Sequence, residues 1–250
     1  MKEYNQVSHF DLKYVKKGFI IAGIVILVTL VLDQWLKVHI KLNYEYGQRE
    51  SVIGDWFQFH FVENPGMAFG LEFPFVSSHV AKMILTSLRL FAVSAIFYYL
   101  WGMIKRNVSL GLIISCSLIF AGAFGNIIDS LFYGLIFSES SYYLPVVAEV
   151  VPFGTGYEGF MTGRVVDMLH LDLFTINIPW FASLESGIEF IWRPFSFFAP
   201  IFNLADVAIS VGVGMIIVFQ RSVFQTEFFP KQGKEEEVSE TPIEVAGDLK

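Results

Sequence analysis

Four long apolar stretches constrain the fold of this chain more than any other feature of its sequence. They cover about 18–36, 83–104, 110–131 and 199–219, and each has about the 20 helical residues that cross the apolar core of a bilayer. Charged residues make up only 16% of the chain, against about 25% in an ordinary soluble domain. The sequence therefore predicts an all-α polytopic membrane protein with four transmembrane helices.

Composition also excludes several classes of function. Hydrophobic residues make up 54% of the 250 residues, which excludes a disordered chain. The net charge is -7, and basic residues do not alternate with aromatic ones, so we expect no nucleic-acid partner. Cys116, the one cysteine, lies inside the third stretch and is interpreted as a core residue. No His/Cys spacing suggests a metal site, and we expect no metal or cofactor.

The first apolar stretch has two possible interpretations. Lysines precede it, as they precede the apolar part of a secretory signal peptide. However, no small-x-small cleavage site follows, and Asp33–Lys37 continues the helical pattern. We therefore interpret the stretch as an uncleaved first span.

The distribution of basic residues predicts the orientation in the membrane, because cytoplasmic loops carry an excess of lysine and arginine. Basic residues cluster before the first span, between the second and third, and after the fourth. We expect 1–17 to be a cytoplasmic segment, 18–220 the membrane domain, and 221–250 an acidic, disordered cytoplasmic tail. The segments 37–82 and 132–198 then lie on the outer face.

The outer segments carry signals of β-structure. Polar and apolar residues alternate from Asp55 to Phe61, as in a strand. Asn64–Pro65–Gly66 follows and indicates a turn. Residues 131–199 are rich in aromatics, Gly and Pro and fit either short strands or interfacial loops. We predict a small β-rich cradle on the outer face.

Ionisable residues at membrane depth are costly unless they have a partner or a function. Asp33 and Lys37 lie one helical turn apart, and they are either an interfacial ion pair or part of a site. Arg89 lies inside the second span, where it could extend towards the lipid headgroups or neutralise a carboxylate on another span.

Two Asn-x-x-Asp pairs lie near the outer ends of the third and fourth spans. In Asn126/Asp129 and Asn203/Asp206 both side chains share one helical face, and Asp167 lies just before the fourth span. Interhelical hydrogen bonding explains the first pair as well as chemistry does. Two aspartates in a poorly solvated site share one proton near neutral pH, which suits the hydrolysis of a peptide bond.

Five sequence blocks resemble those of the bacterial lipoprotein signal peptidases, also called signal peptidase II. They occur in the family's order and lie on its four-helix topology. The blocks are Asp33–Lys37, Asn64–Gly70, Gly125–Asp129, Val165–Asp167 and Pro200–Asp206. The long outer segments resemble the version of this family found in Bacteroidota-type bacteria.

The resemblance implies an intramembrane aspartic endopeptidase of the bacterial inner membrane, with no cofactor. Such an enzyme removes signal peptides from diacylglyceryl-modified prolipoproteins held in membrane lipid, by cleaving just before the lipidated cysteine. We expect this chain to act as a monomer. The family's catalytic dyad falls on Asp167 and Asp206. Its residues that support or line the site fall on Asp33, Lys37, Asn64, Gly66, Asn126, Asp129 and Asn203.

The sequence departs from the family pattern in three places. Ser130 stands where the family usually has an arginine, directly after the position of Asp129. We predict that Arg89 is the partner of Asp129 instead, with Arg164 as the alternative. The segments 135–162 and 172–198 are longer than the family pattern requires.

A small proton- or cation-coupled transporter is the alternative function. It would place its carboxylates near the middle of the bilayer and show repeated halves. Here the aspartates lie at one end of their spans and the sequence shows no repeat. These features favour the peptidase.

Overall fold

The computed structural model describes residues 12–65, 77–172, 175–184, 187–196 and 200–219, with the backbone alone for 175–196. Gly66, the first eleven residues and the predicted acidic tail lie outside the described residues. Three helices are long and apolar enough to cross a membrane, namely Leu12–Asn43, Ser78–Lys105 and Leu110–Ile136. The predicted class, a helical multi-pass protein with a small sheet, is confirmed.

The helices extend beyond the apolar stretches that predicted them. The first helix, α1, covers Leu12–Asn43, and α2 covers Ser78–Lys105. The third, α3, covers Leu110–Ile128 and continues through a π-helical turn, Asp129–Tyr133, into the short helix α4, Gly134–Ile136. The polar ends of these helices carry the candidate site residues, which apolarity alone could not assign to a helix.

The fourth span begins later than predicted. Its helix, α5, covers Leu204–Phe219, about 24 Å at 1.5 Å per residue. The preceding residues Ile201–Phe202 form the short strand β6 instead. Strand β6 pairs with another strand through its backbone, so the helix begins only after Asn203.

Small residues let α3 and α5 approach closely. A Cβ atom added to Gly122 would lie 2.3 Å from the carbonyl oxygen of Ala205, and one added to Gly212 would lie 2.6 Å from that of Ser115. Packing of this kind, with glycine at the contact, is typical of helices in membranes. It brings Asn126 on α3 close to the beginning of α5.

The predicted cradle is a four-stranded antiparallel sheet in the order β1-β2-β3-β6. Besides β6, it contains β1 (Arg49–Ile53), β2 (Phe57–Asn64) and β3 (Val165–Leu171). Val62 of β2 lies opposite Asp167 of β3, and Asn64 lies opposite Val165. Strand β3 pairs with both β2 and β6, so it lies between the chain regions that carry Asn64 and Asn203.

Most of the enlarged 172–198 segment is an antiparallel hairpin of β4 (Thr175–Leu184) and β5 (Gly187–Ser196). The 135–162 segment is mostly irregular but is fixed at several points. Lys82 and Thr86 of α2 donate hydrogen bonds of 3.1 and 2.9 Å to the carbonyl oxygens of Thr162 and Met161. The segment therefore packs against the end of α2 that lies beside the sheet.

Candidate active site

Asp167 and Asp206 lie in the wall of one cavity of about 270 Å³. Asp167 is in the middle of β3, and Asp206 is in the first turn of α5. The cavity lies between α2, α3, α5 and the adjoining ends of β2 and β3. It is also lined by Asn64, Arg89, Asn126 and Asn203. Two aspartates far apart in sequence thus face one space.

Asn203 connects the two aspartates. Its side-chain amide donates a hydrogen bond of 2.6 Å to Oδ1 of Asp167, and its backbone N–H donates one of 3.3 Å to Oδ2 of Asp206. Its Oδ1 accepts a 3.0 Å hydrogen bond from the backbone N–H of Asp206, as in an N-cap of a helix. The Asn-x-x-Asp pattern at 203–206 therefore begins α5 and also orients both carboxylates.

Asn64 contacts Asp167 from the end of β2. Its side-chain amide donates a hydrogen bond of 3.3 Å to Oδ2 of Asp167, while Asn203 occupies Oδ1. The resemblance placed Asn64 among the residues that support or line the site, and the structure directs its amide to Asp167. The antiparallel pairing of Asn64 with Val165, two residues before Asp167, accounts for this contact.

The environment of Asp167 opposes its ionisation. Burial and then the negative charge of Asp206 raise the pKa of Asp167 to about 7, against the hydrogen bonds from Asn203 and Asn64 and the charge of Lys37. An ordinary aspartate has a pKa near 4. The pair therefore retains a proton close to neutral pH.

Lys37 is a fully buried cation beside the aspartate pair. Its ammonium nitrogen lies 3.0 Å from Oδ2 of Asp33 and 2.8 Å from Oδ2 of Asp129. It also donates a hydrogen bond of 2.7 Å to Oδ1 of Asn126. An ammonium group has three donors, and all three are used here. Asp33 and Lys37 do form the expected ion pair, but they are only 1% and 0% exposed, which favours the alternative that they are part of a site.

The groups around Lys37 hold the two segments that carry the aspartates. Oδ1 of Asp33 accepts a 2.9 Å hydrogen bond from the backbone N–H of Ala205, next to Asp206. Oδ2 of Asp129 accepts one of 3.3 Å from the backbone N–H of Val166, next to Asp167. Lys37 therefore connects Asp129, which is bonded to the backbone of β3, with Asp33, which is bonded to the backbone of α5.

Asn126 extends this network to Asp206. Since Lys37 can only donate, Oδ1 of Asn126 faces Lys37 and its amide group faces Asp206. That amide donates a hydrogen bond of 3.0 Å to Oδ1 of Asp206. Asn126 and Asp129, on one helical face, thus contact different members of the site.

The prediction that Arg89 is the partner of Asp129 is wrong. Asp129 is paired with Lys37 and accepts a 2.9 Å hydrogen bond from Gln34. The alternative, Arg164, instead lies 3.3 Å from a carboxylate oxygen of Glu63 and 3.3 Å from one of Glu139. The reason is that α1 packs beside α3 and presents Lys37 to it, whereas Arg89 lines the cavity of the aspartate pair.

The roles of two polar residues, Gln34 and Lys41, were not predicted from the sequence. Gln34 donates to Asp129 and accepts a 3.2 Å hydrogen bond from the hydroxyl of Tyr133. Lys41 pairs with Glu63 at the end of β2 and donates a 3.0 Å hydrogen bond to Ser140. The spacing of Lys41, one turn after Lys37, was the available signal, since both lie on one face of α1.

The fold defines a helical multi-pass membrane protein in which two aspartates line one cavity. The family model described as Signal peptidase (SPase) II matches residues 25–221. The chain belongs to the signal peptidase II family, as the sequence blocks predicted, and this does not support the transporter alternative.

Two similar proteins are named lipoprotein signal peptidase. The chain is 40% identical over 203 residues to the lipoprotein signal peptidase of Porphyromonas gingivalis, covering 81% of this chain and 83% of that protein. It is 36% identical over 202 residues to that of Amoebophilus asiaticus, covering 80% and 77%. One solved bacterial membrane enzyme is 22% identical to this chain, with a TM-score of 0.49. The alignment covers 79% of this chain and 90% of that enzyme.

Proposed function

We propose that Asp167 and Asp206 are the catalytic pair with which this peptidase removes signal peptides from prolipoproteins. The observation that carries the proposal is the single cavity lined by both carboxylates, which Asn203 connects. Replacing either aspartate with asparagine in a precursor-cleavage assay tests it. The bond cleaved is the one just before the diacylglyceryl-modified cysteine.

The proposed reaction follows from the different environments of Asp167 and Asp206. Asp167, whose pKa is raised to about 7, donates its proton to the carbonyl oxygen of the scissile bond. Asp206, held by Asn126 and the backbone of Asn203, takes a proton from the attacking water. The resulting tetrahedral intermediate collapses when the amine nitrogen of the departing cysteine receives that proton. The C–N bond breaks while a hydroxyl of the intermediate returns its proton to Asp167, so the new carboxyl group forms and the pair again holds one proton.

The first prediction concerns pH. Because Asp167 must be protonated to donate, kcat/KM should fall as the pH rises through about 7, by about tenfold for each further pH unit. The measurement is cleavage of a lipidated precursor peptide by purified enzyme between pH 5 and 9. Removing the Asn64 hydrogen bond in Asn64→Ala should move this fall to higher pH. A profile that is flat above pH 7 would contradict the assignment of the proton to Asp167.

The second prediction concerns Asn64 itself. Asn64→Gly preserves backbone pairing with Val165 but removes an amide from Asp167, so activity should fall roughly 10–100-fold. Gln58→Gly is the matched control, since Gln58 lies on the same strand, does not line the cavity, and has a side chain that donates to the backbone of Asp55. Equal activities of the two variants would mean that Asn64 is required only for the turn predicted to follow it.

An apolar groove leads away from the aspartate pair. Ile96 lines both the catalytic cavity and a second cavity of about 340 Å³ between α2, α3 and α5. The other residues of this second cavity are apolar or aromatic, namely Tyr99, Met103, Cys116, Ile119, Val213, Ile216 and Ile217. We propose that this groove holds the acyl chains of the diacylglyceryl group while the peptide bond lies at the carboxylates.

The third prediction concerns the lipid. If the acyl chains orient the peptide, an unlipidated precursor should be cleaved at least about 100-fold less efficiently. Ile217→Trp would narrow the groove at an exposed position and should reduce cleavage of the lipidated precursor only. Equal rates for both precursors in the wild-type enzyme would contradict this role of the groove.

We further propose a monomer of the bacterial inner membrane with both termini in the cytoplasm and the site near the outer face. Lys105 and Arg106 at the α2–α3 turn support this orientation, because the site lies at the opposite end of these helices. One chain supplies both aspartates, which supports a monomer. The predicted domain limits, 18–220 and 221–250, stay part of this proposal. Reporter fusions at both termini test the orientation.

A further inference from the structure

Arg89 lies in the wall of the catalytic cavity, on the part of α2 that faces α3. Buried Thr86 and Val93 lie on the same side of α2, one turn before and one turn after it. Its neighbours Leu88 and Leu90 are exposed on the outer side of the helix. The carboxylates of Asp206 and Asp167 line the same cavity as the Arg89 side chain. The cation and the aspartate pair thus line one cavity, in which half of the lining residues are apolar.

The other cations near the site are bound to other carboxylates. Lys37 lies between Asp33 and Asp129, and it contacts the pair only through Asn126. The charge of Lys37 also favours the ionised form of Asp167, but this ammonium group is shared with two other carboxylates. Among the described residues that line the cavity, Arg89 is the one cationic side chain.

We propose that Arg89 is a positioning residue that keeps one negative charge on the Asp167–Asp206 pair and thereby sets the pH range of cleavage. This inference rests on the proposed function of the pair. Ionising one carboxylate in a partly apolar cavity is costly, and the cost falls when an opposite charge lies nearby. Arg89 supplies that charge from α2, whereas the pair itself is carried by β3 and α5.

The groups that face the pair come from each surrounding element. Helix α1 contributes Asp33 and Lys37, α3 contributes Asn126 and Asp129, β2 contributes Asn64, and α2 contributes Arg89. Removing Arg89 leaves Lys37 with its two carboxylates and takes away the cation of the cavity itself. The pair should then hold its protons to higher pH.

The test is the pH dependence of kcat/KM for purified Arg89→Met, Arg89→Gln and Arg89→Lys on a lipidated precursor peptide. In Arg89→Met and Arg89→Gln both limbs of the profile should move to higher pH by about one unit, since a nearby opposite charge shifts an aspartate by that amount or more. Relative to the wild type, activity should therefore fall at the acid end of the profile and rise at pH 8 and above, by up to about tenfold. Arg89→Lys should keep the wild-type profile.

Lys105→Met is the matched control. It removes one positive charge from the same helix, 16 residues and about 24 Å away, and should leave the profile unchanged. If Arg89→Met does not accumulate in membranes, the comparison of Arg89→Gln with Arg89→Lys decides the question.

An unshifted profile in the variants without a charge would overturn the proposal, even if their activity falls equally at every pH. Equal shifts in Arg89→Lys and Arg89→Gln would overturn it as well. Failure of the catalytic assignment is distinguishable, because it requires Asp206→Asn to retain activity, a result that these Arg89 variants do not affect.

Discussion

Asp167→Asn and Asp206→Asn should each reduce cleavage of a lipidated precursor by at least about 1,000-fold. Asparagine preserves the size of the side chain but can neither give up a proton to the carbonyl oxygen nor take one from water. The measurement is single-turnover cleavage by purified enzyme. Both variants should accumulate in the membrane, because the amide can still bond to Asn203 and to Asn126.

Matched controls come from the same strand. His170 lies in β3 beside His60, and Asp172 directly follows β3. Neither lines the catalytic cavity. His170→Gln and Asp172→Asn should therefore retain most of the activity. Robust cleavage by Asp167→Asn, or losses as large in the controls, would mean that the reaction uses other groups.

Lys37→Met should destabilise the protein by about 3–5 kcal/mol, because it leaves two buried carboxylates without their shared cation. Asp33 and Asp129 are 1% and 0% exposed, so water cannot replace the ammonium group without a local rearrangement. Activity should fall with stability, since these carboxylates hold the backbone of Ala205 and Val166. The measurement is the midpoint of thermal unfolding in detergent.

Lys105→Met again provides the control, because Lys105 is an exposed lysine at the end of α2 that lies over the ring of Trp101. Its change in stability should stay within about 0.5 kcal/mol. Lys37→Arg should fall between the two, since the guanidinium keeps the charge but needs more space. Equal stability of Lys37→Met and the wild type would show that the buried carboxylates are neutral or solvated.

The sequence predicted the membrane spans because a bilayer demands continuous apolar segments. It also predicted the important polar residues, because ionisable groups are rare at that depth. It could not predict which cation pairs with Asp129. Lys37 and Arg89 were both available to Asp129, and only the packing of α1 beside α3 decides for Lys37.

The outer segments could be predicted only in part. Alternation located β2, but β3 is buried on both faces, and Asp167 within it shows no period of two. The course of the 135–162 segment depends on hydrogen bonds from Lys82 and Thr86 to backbone carbonyl oxygens, which leave no pattern in the sequence.

The most direct test of the aspartate pair is a double-mutant cycle of Asp167→Asn and Asp206→Asn. If the two carboxylates act as one unit, the double variant should cleave the lipidated precursor no more slowly than either single variant, because each change alone already removes the mechanism. The rates are measured in single turnover at pH 6, where Asp167 is protonated. Losses that multiply in the double variant would show that the aspartates contribute independently and would contradict a shared catalytic pair.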